Sequence, residues 1–251
     1  MTNQLAANLD QNVHLNKILS HVTRNKDQSY DLKFKDGDQV EADILILSIP
    51  CSIYDNIDFD PEVIPSSRLN QIKQIHYGKN SKIITPIKKE ISKTTLVMND
   101  HVISFAVEGF KHVTLYYTSD GSEFSRDTIF STFHDEKPMV EVGFNQFEPS
   151  FKTPVLAKDQ QYYSYNTPIG YSWPNDPFVK GSYSYIFADN ENLYTDLTEI
   201  DGESVKTLFV PLNQSLYFAG EHTSILLNAS GTMESACESG ERVARMILKK
   251  N

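Results

Sequence analysis

Apolar and polar residues follow two different periods along this chain. From Met233 to Ile247 the apolar and small residues Met233, Ala236, Cys237, Gly240, Val243, Ala244 and Ile247 recur at steps of three and four. Glu234, Glu238, Glu241, Arg242 and Arg245 fall mostly elsewhere, the signature of an amphipathic helix. Ser230 stands where an N-cap is expected, acids come early and Lys249 and Lys250 come late, an order that complements the helix dipole. Elsewhere the runs are short and β-like. Val13 to Val22 predicts a strand, and Tyr30 to Phe34 predicts another leading into the hairpin signal Asp36-Gly37. Glu41 to Cys51 is a continuous apolar run closed by Pro50, the pattern of a strand buried on both faces. A helix is predicted from Pro65-Ser66-Ser67 to about Ile75, with Leu69, Ile72 and Ile75 on one side. Strands are predicted at Ser81 to Pro86, Val102 to Val107, Val113 to Tyr117, Thr128 to Phe133 and Leu216 to Ala219. Glu148 to Asn166, with two prolines and a tyrosine cluster, supports no assignment.

Composition narrows the function classes. At 251 residues the chain can bury a sizeable core, and 39% hydrophobic with 22% charged residues is a globular mixture. No apolar run is long enough to span a bilayer, and MTNQLAANLDQN has neither the basic start nor the apolar core of a signal peptide. A soluble, cytoplasmic protein without a membrane partner is expected. A net charge of −10 opposes contact with a phosphate backbone, so nucleic acid is not an expected partner. The same negative field could draw cationic amines or simply keep the protein in solution. Cys51 and Cys237 make no metal or redox spacing and read as buried thiols. The tripeptides at Asn213 and Asn228 match the glycosylation pattern, but without a secreted context they are discounted.

The string FAGEHTS, Phe218 to Ser224, followed by SGTMESACESGERVA, Ser230 to Ala244, resembles the C-terminal signature of the flavin-dependent amine oxidase superfamily. That superfamily includes monoamine, polyamine and L-amino-acid oxidases. The resemblance implies that the strand delivers Gly220 and Glu221 to the ribityl chain of FAD. It implies that Gly231, Thr232, Met233 and Glu234 form the flavin-facing start of the last helix. A helix start suits that role, because its orphan N–H groups and dipole stabilise the charge a reduced flavin gains near N1 and O2. The opening hairpin is similar to the segment that returns to the family's dinucleotide-binding sheet, and Leu19 matches the position whose backbone meets the adenine. On the residues alone Leu19 is equally an ordinary strand position.

Two more stretches carry the resemblance. Trp173 to Tyr185, YSWPNDPFVKGSYSY from Tyr171, is similar to the family's W-x-x-x-P-x-x-x-G-x-Y segment, which implies a tryptophan near the flavin and Tyr183 as one wall of an aromatic cage for the substrate amine. Ser81-Lys82-Ile83 matches the strand whose lysine holds a water against flavin N5, with Lys79 as a neighbouring competitor. Without the family frame, Lys82 is a solvated charge and Trp173 and Tyr183 are core aromatics. Two departures matter. Ser182 stands where covalently flavinylated members have cysteine, implying noncovalent FAD, and Thr232 stands where they supply a second cage tyrosine, which leaves the substrate class open.

No G-x-G-x-x-G loop occurs among the 11 glycines. The expectation is therefore an α+β chain: a mixed-sheet substrate domain at 56–204, and an incomplete FAD-binding domain formed by 1–55 and 205–251. Three readings of function stay open. One is an FAD-dependent oxidase of an amine or amino acid, with O2 as acceptor. Another is a noncatalytic module, a truncated remnant or half of a split flavoenzyme, whose open edges need a protein partner or a second copy. The third is a flavin oxidase or desaturase acting on an alkene or porphyrinogen.

Overall fold

The computed structural model describes residues 6–9, 12–86, 90–98, 102–117, 169–185 and 194–249. The strand expected at 128–133 and the unassigned stretch 148–166 lie outside them. The fold is α+β, and its contacts divide the chain into two compact units, Met1–Ile75 with Ile186–Asn251, and His76–Tyr185. No described helix is long and apolar enough to cross a membrane.

The first unit opens with β1 (Leu19–Arg24), β2 (Tyr30–Phe34) and β3 (Gln39–Ala42), an antiparallel meander with Asp36-Gly37 at the expected turn. β1 begins later than the apolar run suggests. Asn16 has φ of +62°, a left-handed kink that ends extended backbone, and Leu15 before it is 77% exposed. The run from Glu41 to Cys51 is likewise divided: a bend at Asp43-Ile44 separates β3 from β4 (Leu45–Leu47). Nor is β4 buried on both faces, since Leu45 and Leu47 are 7% and 3% exposed while Ile46 between them is 47% exposed. Continuous hydrophobicity gave the strand; pleat and neighbours decide which face is covered. β5 (Asp58–Phe59) runs parallel to β1, and β4 runs parallel to β15 (Leu216–Phe218). α1 (Ser66–Ile72) follows Pro65 and stops three residues short of the expected Ile75. Its Arg68 donates to the carbonyls of Thr207 and Leu208 at 2.7 and 2.6 Å, which fastens it to the segment that follows the β13 (Leu197–Ile200) and β14 (Glu203–Lys206) hairpin.

The last helix, α2 (Met233–Leu248), forms as its period predicts, but the buried face differs from the apolar one. Ser235, Ser239, Arg242, Val243 and Met246 are buried, while Met233, Ala236, Cys237, Gly240 and Ala244 are exposed. Val243 and Met246 join the buried cluster of Val205, Tyr217 and Ala219, with half-buried Ile247 packed against it. The reason is hydrogen bonding: Ser239 accepts from the Gly220 N–H at 2.8 Å and Ser235 donates to the Ala229 carbonyl, so small polar residues satisfy backbone groups under the helix. Cys237 is therefore exposed, against expectation, and Cys51 is buried. The N-cap is Thr232, whose Oγ1 accepts from the Ser235 N–H at 3.3 Å, two residues later than the expected Ser230. Gly231, at φ of +76°, supplies the turn between them.

The second unit is built on a five-stranded sheet in the order β11-β7-β10-β9-β8, comprising β7 (Ser81–Pro86), β8 (Thr95–Met98), β9 (Val102–Ala106), β10 (His112–Tyr117) and β11 (Ile169–Ser172). Its strand pairings, β7 with β10 and β11, and β9 with β8 and β10, are antiparallel. β6 (His76–Tyr77) and β12 (Ser184–Tyr185) add a short ladder.

Because Met246 is 1% exposed and sits in the core cluster, Met246→Ala should cost about 2–5 kcal/mol in urea unfolding. Ala244→Ser, on the exposed face, should change stability by less than about 0.5 kcal/mol.

Candidate functional site

In the first unit, β15 delivers the chain to a one-turn helix, Glu221–Thr223, after Gly220. Gly220 has φ of +122°, and a Cβ there would lie 2.7 Å from the His222 ring, so only glycine allows the turn and the imidazole together. The turn is bound to α2 by buried charge. Arg242, 2% exposed, donates through Nε to Glu238 at 2.7 Å and through Nη2 to the Thr223 carbonyl at 2.9 Å. Glu238 accepts from the Ser224 hydroxyl at 2.7 Å and the Ile225 N–H at 3.3 Å. Burial alone would raise the Glu238 pKa, but the Arg242 and Ser224 hydrogen bonds overcome it and hold the carboxyl below its ordinary value.

Beneath the turn, the Lys206 ammonium donates to the His222 carbonyl at 2.9 Å. Burial lowers its pKa, and the Glu221 carboxylate opposes that shift, so Glu221 and Lys206 attract across the turn. His222 itself is 5% exposed, packs edge-on against Phe209 and has no partner for Nε2. Burial, helped by the Lys206 charge, depresses its pKa to about 3, which keeps the imidazole neutral. Glu221 is half-buried, whereas Thr232, Met233 and Glu234 are exposed at the start of α2. The first α2 bond back to Thr232 comes from the Ala236 N–H, leaving the N–H groups of Met233 and Glu234 in the unsatisfied first turn. An acid on a fixed turn lies beside a capped helix start whose orphan N–H groups can hold an electron-rich group, with a glycine allowing close approach. Leu19, half-buried at the head of β1, lies in the same unit.

The second unit holds Lys82, Trp173 and Tyr183. Trp173 opens a turn closed by the Gly181 N–H on its carbonyl at 3.1 Å. The next residues pair with Gly78, whose N–H donates to the Tyr183 carbonyl at 3.0 Å and whose carbonyl accepts from the Ser182 N–H at 2.7 Å. The approach is tight: a Cβ on Gly181 would stand 2.5 Å from the Tyr77 Cβ. Asn80, 4% exposed, donates to the Ser182 hydroxyl. Lys82 lies in β7 opposite Tyr116 of β10, with its Nζ 5.1 Å from the Tyr116 ring centroid. Burial and then the Tyr183 phenol push the Tyr116 pKa up, and the Ser182 and Asn80 side chains oppose that shift. Trp173 is half-buried, and Lys82 and Tyr183 are exposed, as is Lys79.

A family model described as flavin containing amine oxidoreductase matches residues 1–248. The chain belongs to that family. Among solved structures it is similar to a triple variant of putrescine oxidase redesigned in its cofactor binding, at TM-score 0.70 and 16% identity, covering 100% of this chain and 52% of that one. A double variant of the same enzyme matches at TM-score 0.69 and 17% identity over 98% of this chain and 52% of that one. The wild-type putrescine oxidase bound to putrescine matches at 0.69 and 17%, over 98% and 51%. These likenesses show the fold, and the family chain spans about half the length of the solved structures it matches. A search of curated proteins gives no match.

The structure thus brings Gly220 and Glu221 together with α2, and Lys82 together with Tyr183 through Tyr116. Sequence reasoning missed Lys206, His222, Glu238, Arg242, Asn80 and Tyr116. The one available signal was the ESGER string, whose Glu238 and Arg242 stand four apart and so meet on one helix face.

His222 gives a pH signature. Its folded pKa is about 3 against an ordinary 6.5, so between those values the unfolded chain binds the extra proton and stability falls as pH falls. The contribution is intact above pH 6.5 and is lost toward pH 3, at about 1.4 kcal/mol per pH unit. His222→Gln should flatten the dependence of urea midpoint on pH in that window.

Proposed function

We propose that the chain acts as an FAD-dependent oxidoreductase that oxidises a carbon–nitrogen bond of a small amine or amino acid, with O2 as the final acceptor. The observation that carries this reading is the acid-bearing turn at Gly220-Glu221 locked to the capped start of α2, in a chain of the flavin amine oxidoreductase family. Glu221 takes the ribityl hydroxyls, and Gly231, Thr232, Met233 and Glu234 face the pyrimidine edge through backbone N–H groups and the helix dipole. Leu19 offers backbone to the adenine. FAD is held noncovalently, since Ser182 cannot form a thioether. When bound, the flavin accepts the hydride from the carbon beside the substrate nitrogen.

The remaining chemistry falls to side chains of the chain. Trp173 and Tyr183 fix the substrate by ring contact, and Lys82 orders a water or exchanges a proton as the amine is oxidised. The net charge of −10 favours approach of a cationic amine. Residues 1–55 and 205–251 supply the FAD-binding part, and 56–204 the substrate-binding part. The thiols of Cys51 and Cys237 suit a reducing, cytoplasmic setting.

A second reading has its own observation. On α2, Met233, Ala236, Cys237, Gly240 and Ala244 are exposed, and Ile46 is exposed on β4. We infer that this apolar face is covered by a protein partner or a second copy, so that the chain alone is an assembly module or half of a split flavoenzyme.

FAD titration followed by flavin absorbance separates the two. Saturable binding by the chain, weakened at least tenfold by Glu221→Ala through loss of a charge-assisted hydrogen bond, supports the oxidoreductase. No binding by the chain alone overturns independent activity. With FAD retained, Lys82→Met should lower peroxide production from the preferred amine by about 10²-fold, and unchanged turnover would remove Lys82 from the mechanism.

A further inference from the structure

Lys82 and Tyr183 come from distant parts of the second unit, one from the middle of a sheet and one from an irregular turn. Both touch Tyr116. In the β7–β10 ladder Tyr116 is the direct cross-strand partner of Lys82, which places their side chains on one face of the sheet. The Lys82 ammonium stands 5.1 Å from the ring centroid, within cation–π range. At the other end of the same side chain, the hydroxyl is within electrostatic reach of the Tyr183, Ser182 and Asn80 side chains. Those partners are themselves anchored. Asn80 is 4% exposed and donates to the Ser182 hydroxyl, while Gly78 clasps the backbone of both Ser182 and Tyr183.

A lysine at the surface of a strand samples many rotamers, and an exposed tyrosine on a turn does the same. Tyr116 is half-buried and carried by a paired central strand, so it has the fixed geometry that both neighbours lack. We propose that Tyr116 is a positioning residue that sets the Lys82 ammonium and the Tyr183 phenol relative to each other, with its ring face holding the first and its hydroxyl the second. The proposal deepens the amine-oxidation reading and rests on it for its catalytic consequence. Burial and then the Tyr183 hydroxyl raise the Tyr116 pKa, which favours the protonated, donating form of the phenol.

The two contacts can be cut separately. Tyr116→Phe keeps the ring under Lys82 and removes the hydroxyl; Tyr116→Ile, compatible with a strand, removes both. The direct readout needs neither cofactor nor turnover: lysines of the purified chain are reductively methylated with ¹³C-formaldehyde, and the Lys82 signal is assigned by its absence in Lys82→Arg. An upfield, ring-shifted Lys82 signal is expected in the parent chain and in Tyr116→Phe, moving to the position of a free dimethyl-lysine in Tyr116→Ile. In the FAD-loaded protein, Tyr116→Phe should raise KM roughly tenfold through the loosened Tyr183 with kcat nearly kept, whereas Tyr116→Ile should lower kcat as well. Tyr183→Phe should reproduce the KM change, which keeps the hydroxyl arm decisive if Tyr116→Ile does not fold. A Lys82 signal unchanged in Tyr116→Ile, or equal kinetics in Tyr116→Phe and the parent, would overturn the positioning role. If no amine is oxidised by the parent chain, the functional reading fails, and the methyl-lysine signal still decides whether Tyr116 holds Lys82.

Discussion

The ion pair between buried Arg242 and half-buried Glu238 is the interaction on which the candidate cofactor side depends. One guanidinium bonds at once to its own helix and to the Thr223 carbonyl, and the matching carboxylate takes the Ser224 hydroxyl and the Ile225 N–H. Three groups of an irregular segment are thereby tied to one helix. Glu221 precedes these residues and Met233 begins the helix they are tied to, so the acid and the helix start hold a common geometry through this lock. A buried pair is not in itself strong evidence of stability, since two well-packed apolar residues often do as well. Its value is specificity: a shifted α2 would leave these three polar groups of the turn unsatisfied. The neutral His222 and the buried Lys206 extend the same logic, because each replaces water at a backbone group of the turn or packs against it.

The second unit uses backbone pairing and strand register for the same end. Close approach of Gly181 to Tyr77, and the paired hydrogen bonds at Gly78, fix the turn that carries Tyr183. Antiparallel register fixes Lys82 against Tyr116. In both units the residues expected to meet a ligand are exposed or half-buried, while several of the groups that orient them, Lys206, Ser239, Arg242 and Asn80 among them, are buried. That division is what preorganisation requires: the reacting side chains stay accessible and their supports bear the packing.

Much of this was legible along the chain, and the failures share a cause. The hairpin at Asp36-Gly37, the strand at Ser81–Pro86 and the terminal helix follow from turn chemistry and period, which are local. The motif strings from Phe218 to Ala244 pointed to the family. The buried face of α2 did not follow, because a count of apolar residues cannot anticipate that Ser235, Ser239 and Arg242 are buried by the backbone groups they satisfy. The extent of β1 failed for a similar reason: a left-handed Asn16 interrupts an apolar run that reads as continuous. Tyr116 was invisible for want of register, since nothing near it in sequence says that Lys82 lies opposite.

The account stands or falls on whether α2 is docked by its polar lock. A double-mutant cycle in urea unfolding over Arg242→Met, Glu238→Leu and the pair tests this directly. Each single change is expected to cost about 3–5 kcal/mol by stranding its partner's charge or leaving the turn unpaired, and the double variant is expected to recover a large part of that loss. Single costs below about 0.5 kcal/mol with no coupling between them would contradict it.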